Sequence, residues 1–438
     1  NTSAPGLAAC LGLIALIHQQ RGDFSLAQSF SEQAMKIEER VSGSNHPRYL
    51  ALLGESALTD MATGRYKEAK TKLQREAEEF GQPSQMLAYC LQVLGYEEEA
   101  KNTCIKEMSV RNKAFLRGLL MSERSRMALQ QKYASTLGPE VEILLPEQVA
   151  NQLLLVKGKI LDSICEERLM ARHISSGSSA QLLQKIKTLR AQIGQLSLHK
   201  RADTETAIDE LTEQLAALQT KLAKEINGKK PATQSDSNLK LADIYNVLAP
   251  DQAFIEFFKF RDWKVSVTDL DKSTSYAAIV VLPRSSRTFL GVEIAEASPK
   301  TLLVKLGNSR ELDDTIRKWR EAIVQENAAM LEQYNKTLFE TMWSPLAGAL
   351  PQNTKQCIIS PDGDLNFLSF AALAGGDRRF LGEKYDISYV GSGRDLTKAP
   401  STQTSRSLSI VSDPDFEAAS GSPPVNRQDD TKRFAAVP

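Results

Sequence analysis

The sequence predicts a multidomain chain that is helical in its first half and α/β in its second. Three observations support this fold class. A motif near the N-terminus repeats at a fixed offset, two runs of leucine and isoleucine then keep heptad spacing, and after residue 238 apolar runs of strand length alternate with helical ones. The 438 residues are enough for two or three domains. Lysine plus arginine equals aspartate plus glutamate, 54 each, so the overall charge does not favour nucleic-acid binding.

Residues 8–80 contain the internal repeat. Gly22-Asp23-Phe24 with Ala27 recurs as Gly64-Arg65-Tyr66 with Ala69, an offset of 64 − 22 = 42 residues. A small residue lets the two helices of a pair approach closely, the glycine ends the first helix, and the aromatic ring fills the groove to the next helix. The pattern resembles the tetratricopeptide repeat, in the variant with the longer Gly-x-x-His-Pro linker of kinesin light chains, present here as Gly43–Pro47.

A third, degenerate repeat unit is expected at Gly95-Tyr96, with Ala100 one residue further from the aromatic ring than the pattern requires. We therefore assign residues 1–108 to tetratricopeptide repeats. Stacked helix pairs of this kind form a concave face, which we expect to bind a protein or peptide partner.

Residues 109–228 are predicted to continue as a helical region with a coiled-coil hairpin. Two apolar runs keep heptad spacing, and the register slips between them near His199–Thr204, where we place the turn. A single continuous coiled coil is the alternative. The two runs are Leu182, Ile186, Leu189, Ile193 and Leu196, then Ile208, Leu211, Leu215, Leu218 and Leu222.

After a polar linker at 229–239, residues 240–414 are predicted to form an α/β sandwich with a mostly parallel sheet. Asn308 or Ser309 is expected to cap a helix with Leu312, Ile316, Trp319 and Ile323 on one face, and a second helix carries Leu331, Tyr334, Leu338 and Met342 and ends near Pro345. The tail 415–438 is predicted to be exposed and mobile. The expected strands are Phe254–Phe260, Tyr276–Leu282, Thr288–Ile294, Cys357–Ser360 and Leu408–Val411.

The most informative stretch is Gln356–Arg394. Its first strand breaks at Pro361-Asp362-Gly363, which has strong turn chemistry. We predict that this turn ends a central strand, that Gly363 adopts a positive φ, and that the Asp362 side chain holds the turn through nearby backbone amides. Leu365, Leu368, Phe370 and Leu373 should pack on the sheet, and Tyr385–Val390 should form the next strand.

Three ordered segments, PDGDLNFLSFAAL, FLGEKYDISYVGSGRDL and SLSIVSDPDF, resemble the CHAT domain. That family belongs to the caspase and separase clan of cysteine peptidases and usually follows tetratricopeptide repeats. The resemblance implies that 240–414 is the N-terminal part of a caspase-like domain, either a non-catalytic half or the first strands of a single sheet. In the family the catalytic histidine and cysteine follow the Asp-Pro-Asp strand. We therefore expect this sequence to be a fragment that lacks both.

No catalytic, cofactor-binding or metal-binding residue is predicted. The histidines, at 18, 46, 173 and 199, all lie in the helical half, and Cys357 is expected to be a buried hydrophobic residue. Asp362 and Asp364 are interpreted as turn residues and not as a cation loop, although an acidic role for Asp362 at a shared site is the rival hypothesis. Gly391-Ser392-Gly393 lacks the rest of any phosphate-binding pattern.

The resemblance implies a repeat-plus-CHAT portion of a caspase-like cysteine protease that senses a partner and acts as a scaffold without being catalytic. The alternative is a non-enzymatic interaction scaffold with a degenerate CHAT domain, and a nucleotide-dependent enzyme is disfavoured. Five scattered cysteines without a Cys-x-x-Cys pair favour the cytoplasm. Leu7–Ile17 resembles a signal-peptide core but lacks a preceding basic region, and no apolar run reaches the roughly 20 residues that a membrane span needs.

Overall fold

A computed structural model describes residues 4–119, 126–129, 137–172, 178–197, 202–227, 239–266, 274–283, 286–289, 292–295, 300–375 and 379–398. Within residues 4–119, six helices follow one another, and each packs against the next along the chain. They are α1 Ala4–Gln20, α2 Phe24–Ser42, α3 Pro47–Ala62, α4 Tyr66–Phe80, α5 Gln85–Val93 and α6 Glu97–Gly118.

The three helix pairs turn in the same way. Gly22, Gly64 and Gly95 each end the first helix of a pair with a positive φ of 77–82°. The alanine five residues after each of these glycines is fully buried where the two helices cross. The third unit therefore keeps the glycine-to-alanine spacing, and only its aromatic residue, Tyr96, has moved to the position before the helix.

Helices then continue toward the second half of the chain. They are α7 Glu140–Ile143, α8 Pro146–Val156, α9 Lys159–Arg172, α10 Ser178–Ser197, α11 Ala202–Asn227 and α12 Leu241–Val247. Helices α10 and α11 bury their leucine and isoleucine side chains against each other, as the two arms of a hairpin do, whereas the coiled-coil geometry remains a prediction. Of the predicted turn at His199–Thr204, residues 199–201 lie outside the described residues, and residues 202–204 already belong to α11.

A sheet has the strand order β5-β2-β1-β6-β7. Its strands are β1 Gln252–Arg261, β2 Thr274–Leu282, β5 Lys300–Asn308, β6 Gln356–Ser360 and β7 Asp386–Tyr389. A short helix, α13 Trp263–Ser266, follows β1. β1, β6 and β7 run parallel, whereas β2 and β5 pair antiparallel. The sheet is therefore mixed, because β2 alone runs against the other four strands, so two of its four pairings are antiparallel. The apolar runs on which the prediction of a mostly parallel sheet rested do not encode the direction of β2.

Two further strand predictions need correction. The run expected at Thr288–Ile294 is a separate hairpin of β3 Ser286–Phe289 and β4 Val292–Ala295. Strand β5 was missed because Lys305 and Gly307 interrupt its apolar pattern. The predicted strand Leu408–Val411 and the predicted mobile tail lie outside the described residues.

Helices cover both faces of the sheet. On one face the core includes residues of α14 Ser309–Val324 and α15 Ala328–Leu338, and of the π-helical turn Phe339–Trp343 that leads into α16 Ser344–Ala347. Asn308 caps α14 as predicted, by accepting from the Glu311 amide at 3.1 Å. Leu312, Ile316 and Trp319 are buried as expected, but Ile323 is 45% exposed.

The other face packs on α7, α8 and α12. Successive residues of β1 point to the two cores in turn, so Phe254 and Phe258 lie on this face and Ile255 and Phe257 on the opposite one. Helices α7 and α8 precede the linker, so part of the cover of the sheet comes from residues before 228. The division of the chain at 229–239 remains a prediction.

Candidate functional site

The candidate site is a buried polar network where strands β1 and β6 run side by side. Glu256 of β1 is in register with Ser360, the last residue of β6, and both are almost completely buried. Lys157, just after α8, sends its ammonium group between them. Its Nζ donates to the Phe257 carbonyl at 2.9 Å and to Ser360 Oγ at 2.6 Å, and lies 3.8 Å from Glu256 Oε1.

Burial dominates the electrostatics of this pair. Removal from water lowers the pKa of Lys157 and raises the pKa of Glu256, and the attraction between the two groups offsets only part of each shift. Glu256 Oε1 also faces the Gly393 amide at 3.4 Å. Each buried charge therefore has a partner within the chain, as buried charges require.

Arg394 joins the same region from the segment that follows β7. Its side chain is only 1% exposed. Nη1 donates to the Leu154 carbonyl at 2.6 Å, and Nη2 donates to the Lys157 carbonyl and, at 2.8 Å, to Asp162 Oδ2. The guanidinium thus ties the junction of α8 and α9 to the sheet.

A serine and a lysine at 2.6 Å have the spacing of a Ser–Lys hydrolase pair. A nucleophile must reach a substrate, however, and Ser360 is fully buried. Its hydroxyl also donates to the Gly391 carbonyl at 3.1 Å, and Lys157 is occupied by three acceptor atoms. The arrangement is suited to holding elements together and not to attacking a carbonyl.

The Pro361-Asp362-Gly363 turn follows β6, which is an interior strand of the sheet and is buried on both faces, as predicted. Gly363 has φ +54° and begins a 3₁₀ turn, Gly363–Phe367. The Asp362 carboxylate accepts from the Lys259 amide of β1 at 2.9 Å. The aspartate therefore holds the turn through a nearby backbone amide, that of Lys259, and extends the β1–β6 pairing by one contact.

Below the turn, Tyr276 of β2 bridges two elements. Its hydroxyl donates to Asp313 at 2.7 Å and accepts from the Asp364 amide at 3.1 Å. Burial and the neighbouring Asp313 carboxylate raise the pKa of Tyr276, so the phenol stays protonated. Lys259 Nζ completes the cluster with Asp313 at 2.8 Å. The predicted packing residues Leu365, Leu368, Phe370 and Leu373 are all buried.

The network residues Lys157, Glu256, Ser360 and Arg394 were not predicted from the sequence. One signal was available, because Glu256 is a charged residue inside the apolar run Phe254–Phe260. A charge in a strand that is buried on both faces needs a partner. The partner could not be identified, since Lys157 and Ser360 are 203 positions apart.

The cysteine and the histidines that the sequence analysis considered make contacts within the fold where the structure describes them. Cys357 is buried, and desolvation raises the pKa of its thiol to about 12. His46 accepts from the Arg48 amide and so caps α3, while His18 stacks on Phe30. His173 and His199 lie outside the described residues.

The Gly391-Ser392 amides, which a phosphate loop would present to a ligand, both donate to Asp395 Oδ2, at 2.9 and 3.0 Å. Among the described residues, no group of histidine, cysteine, aspartate and glutamate is arranged to hold a metal ion. In the same part of the chain no helix is both long and apolar enough to cross a bilayer.

Comparisons with known proteins match two parts of the chain. The family model of the CHAT domain matches residues 332–436, and a tetratricopeptide repeat model matches residues 7–78. No curated protein matches. The tandem repeats of a putative kinesin light chain from Podospora anserina, solved by crystallography, match with 19% identity and a TM-score of 0.24 over 51% of this chain and 98% of that one.

The CHAT match begins in α15 and includes β6, the Asp362 turn, β7 and Arg394, whereas Lys157 and Glu256 lie before it. The repeat match covers α2 and α3 and most of α1 and α4. The chain therefore carries tetratricopeptide repeats followed by a CHAT domain, the architecture that the sequence motifs predicted.

Proposed function

We propose that this chain is the partner-sensing and scaffold portion of a caspase-like cysteine protease and is not itself catalytic. The observation that carries the proposal is that the central strand β1 is joined to the helical half both along its length and at its end. A conformational change in the repeats can therefore reach the sheet through β1.

The first connection is at the end of β1. Trp263 lies two residues after the end of the strand and belongs to the apolar core of the second and third repeats, with Leu87 and Tyr89 of α5. The Trp263 and Tyr89 rings lie 6.2 Å apart, and the Arg261 guanidinium lies 5.2 Å from the Trp263 ring. The Arg261 amide also donates to the Leu137 carbonyl at 2.8 Å.

The second connection is the Lys157 and Arg394 network. It holds the junction of α8 and α9 against β1, β6 and the segment after β7. Displacing α8 would carry Lys157 away and leave Glu256 as a buried charge without its cation, which is costly. A movement of the helices and a movement of the sheet edge are therefore energetically linked.

Hydrolysis of a peptide library by the purified chain tests the non-catalytic part of the proposal. We expect no turnover above background, because the described CHAT residues contain one cysteine, Cys357, and it is buried. A Cys357→Ala variant is the matched control. Turnover that persists in this variant would contradict the proposal and would reveal a nucleophile elsewhere in the chain.

One observation favours the alternative of a non-enzymatic scaffold with a degenerate CHAT domain. The charged groups of the sheet edge satisfy one another and offer no free group to a substrate. A peptide probe that alkylates active-site cysteines separates the two functions when applied to the natural full-length protein. Labelling supports the protease, and its absence supports the scaffold.

A cytoplasmic location, which the scattered cysteines favour, belongs to the same proposal.

A further inference from the structure

A groove runs between the first helices of the first two repeats. It has a volume of about 580 Å³ and lies between α1 and α3, with one residue of α2 at its base. Small residues form much of its floor, and at Gly12 a Cβ atom would lie only 2.9 Å from Leu52 Cδ2. Leu13, which is 62% exposed, and Leu16 add apolar walls.

The polar group at the base is Glu38 of α2. Its side chain is 99% buried, and Oε1 has no hydrogen-bond donor among the described residues. His46 Nδ1 lies 3.5 Å away, but that nitrogen accepts from the Arg48 amide at 3.3 Å. The tautomer that caps α3 therefore cannot also donate to Glu38.

A second carboxylate, Glu55 of α3, lines the same groove, and partial burial raises its pKa. The exposed Arg48 is the cation among the lining residues, so the lining has two carboxylates against one guanidinium. An unpaired carboxylate in an apolar setting is costly unless a cation or a donor reaches it.

We propose that this groove binds a segment of a partner protein through a lysine or arginine side chain that pairs with Glu38 and Glu55. The inference rests on the proposed partner-binding role of the repeats and adds the chemistry of the partner. Lysine and arginine fit because their long apolar stems can lie along Leu13 and Leu16 while the charged head reaches the base. An acidic segment would meet two carboxylates and is excluded by repulsion.

Fluorescence anisotropy with three short labelled peptides tests the proposal near neutral pH. Leucine alternates with lysine in the first, with glutamate in the second and with serine in the third. We expect the lysine peptide to bind most tightly. The Glu38→Gln/Glu55→Gln variant should weaken its binding by about tenfold or more, and Glu39→Gln, on the exposed face of α2, should change it by less than about twofold.

A stability measurement shows whether Glu38 has only a structural role. Glutamine has the shape of glutamate without its charge, so Glu38→Gln should leave the thermal midpoint unchanged or raise it. A fall in the midpoint would assign Glu38 to the repeat core and overturn the proposal.

Two binding results would also overturn it: equal affinity of the lysine peptide for the double variant, or tighter binding of the glutamate peptide. If the glutamate or serine peptide binds and Leu13→Ser abolishes that binding, the repeats still bind a partner and only the basic preference is wrong. If none of the three peptides binds, the proposed preference of the groove for a basic partner is contradicted. The coupling of the repeats to the sheet is a separate claim, and hydrogen exchange tests it.

Discussion

Glu256 at the sheet edge and Glu38 in the repeats are both 1% exposed, yet their surroundings differ. Glu256 has the Lys157 ammonium group at 3.8 Å and faces the Gly393 amide. Glu38 lies in the wall of an open groove, and among the described residues its Oε1 accepts no hydrogen bond, although His46 Nδ1 lies 3.5 Å away. A buried charge whose partners belong to the same chain is costly to separate from them, whereas a buried carboxylate oxygen without a donor among the described residues marks a place where a ligand can supply one.

The largest effect should follow from removing Lys157. Lys157→Met leaves Glu256 buried without a cation, and we expect a loss of about 3–5 kcal/mol in the free energy of unfolding. Denaturant unfolding measures this value, and Arg21→Ala, at an exposed position of the repeats, serves as the control. Adding Glu256→Gln to Lys157→Met should recover part of the loss. If the losses in the free energy of unfolding from the two single substitutions simply add in the double variant, the two groups do not depend on each other.

The Asp362 turn should give the next largest effect. Gly363→Val forces a branched side chain into a positive φ and places its Cβ about 2.5 Å from Lys259 Cε, so we expect a loss of about 2–4 kcal/mol. Gly81→Val is the matched control, because Gly81 also has a positive φ but has open space around it. Equal losses would mean that crowding by Lys259 and Tyr276 contributes nothing.

Asp362→Asn should be milder than Gly363→Val, because the amide oxygen can still accept from Lys259. Thermal unfolding measures the difference. If Asp362→Asn keeps its stability but abolishes an activity of the natural full-length protein, Asp362 would be a site residue, as the rival hypothesis states.

A third carboxylate, that of Glu107 in α6, is expected to make the stability of the fold depend on pH. It competes with Glu140 for Arg111, and burial raises its pKa to about 7. Between about pH 4.5 and 7, the folded chain therefore keeps a proton on Glu107 that the unfolded chain has released. The stability should therefore fall as pH rises through that window, by on the order of 2 kcal/mol. Glu107→Gln should remove this slope in unfolding experiments, and an unchanged slope would assign it to another group.

How far the sequence could predict the molecule depended on whether a feature was local. The glycine-to-alanine spacing of the repeats, the Asp362 turn and the Asn308 cap each lie within a few residues, so local patterns predicted them. Strand direction in the sheet and the contact of Lys157 with Ser360 depend on how distant segments pack. A local pattern carries no information on such packing, so those features had to come from the structure.

Native-state hydrogen exchange tests most directly whether repeats and sheet form one unit. We expect the amides of α5 and of β1 to exchange through the same opening, with equal free energies and equal dependence on denaturant. Trp263→Ala should separate the two, so that α5 opens at a lower free energy than β1. If α5 and β1 already open independently in the unmodified chain, the repeats are not coupled to the sheet, and the partner-sensing proposal is contradicted.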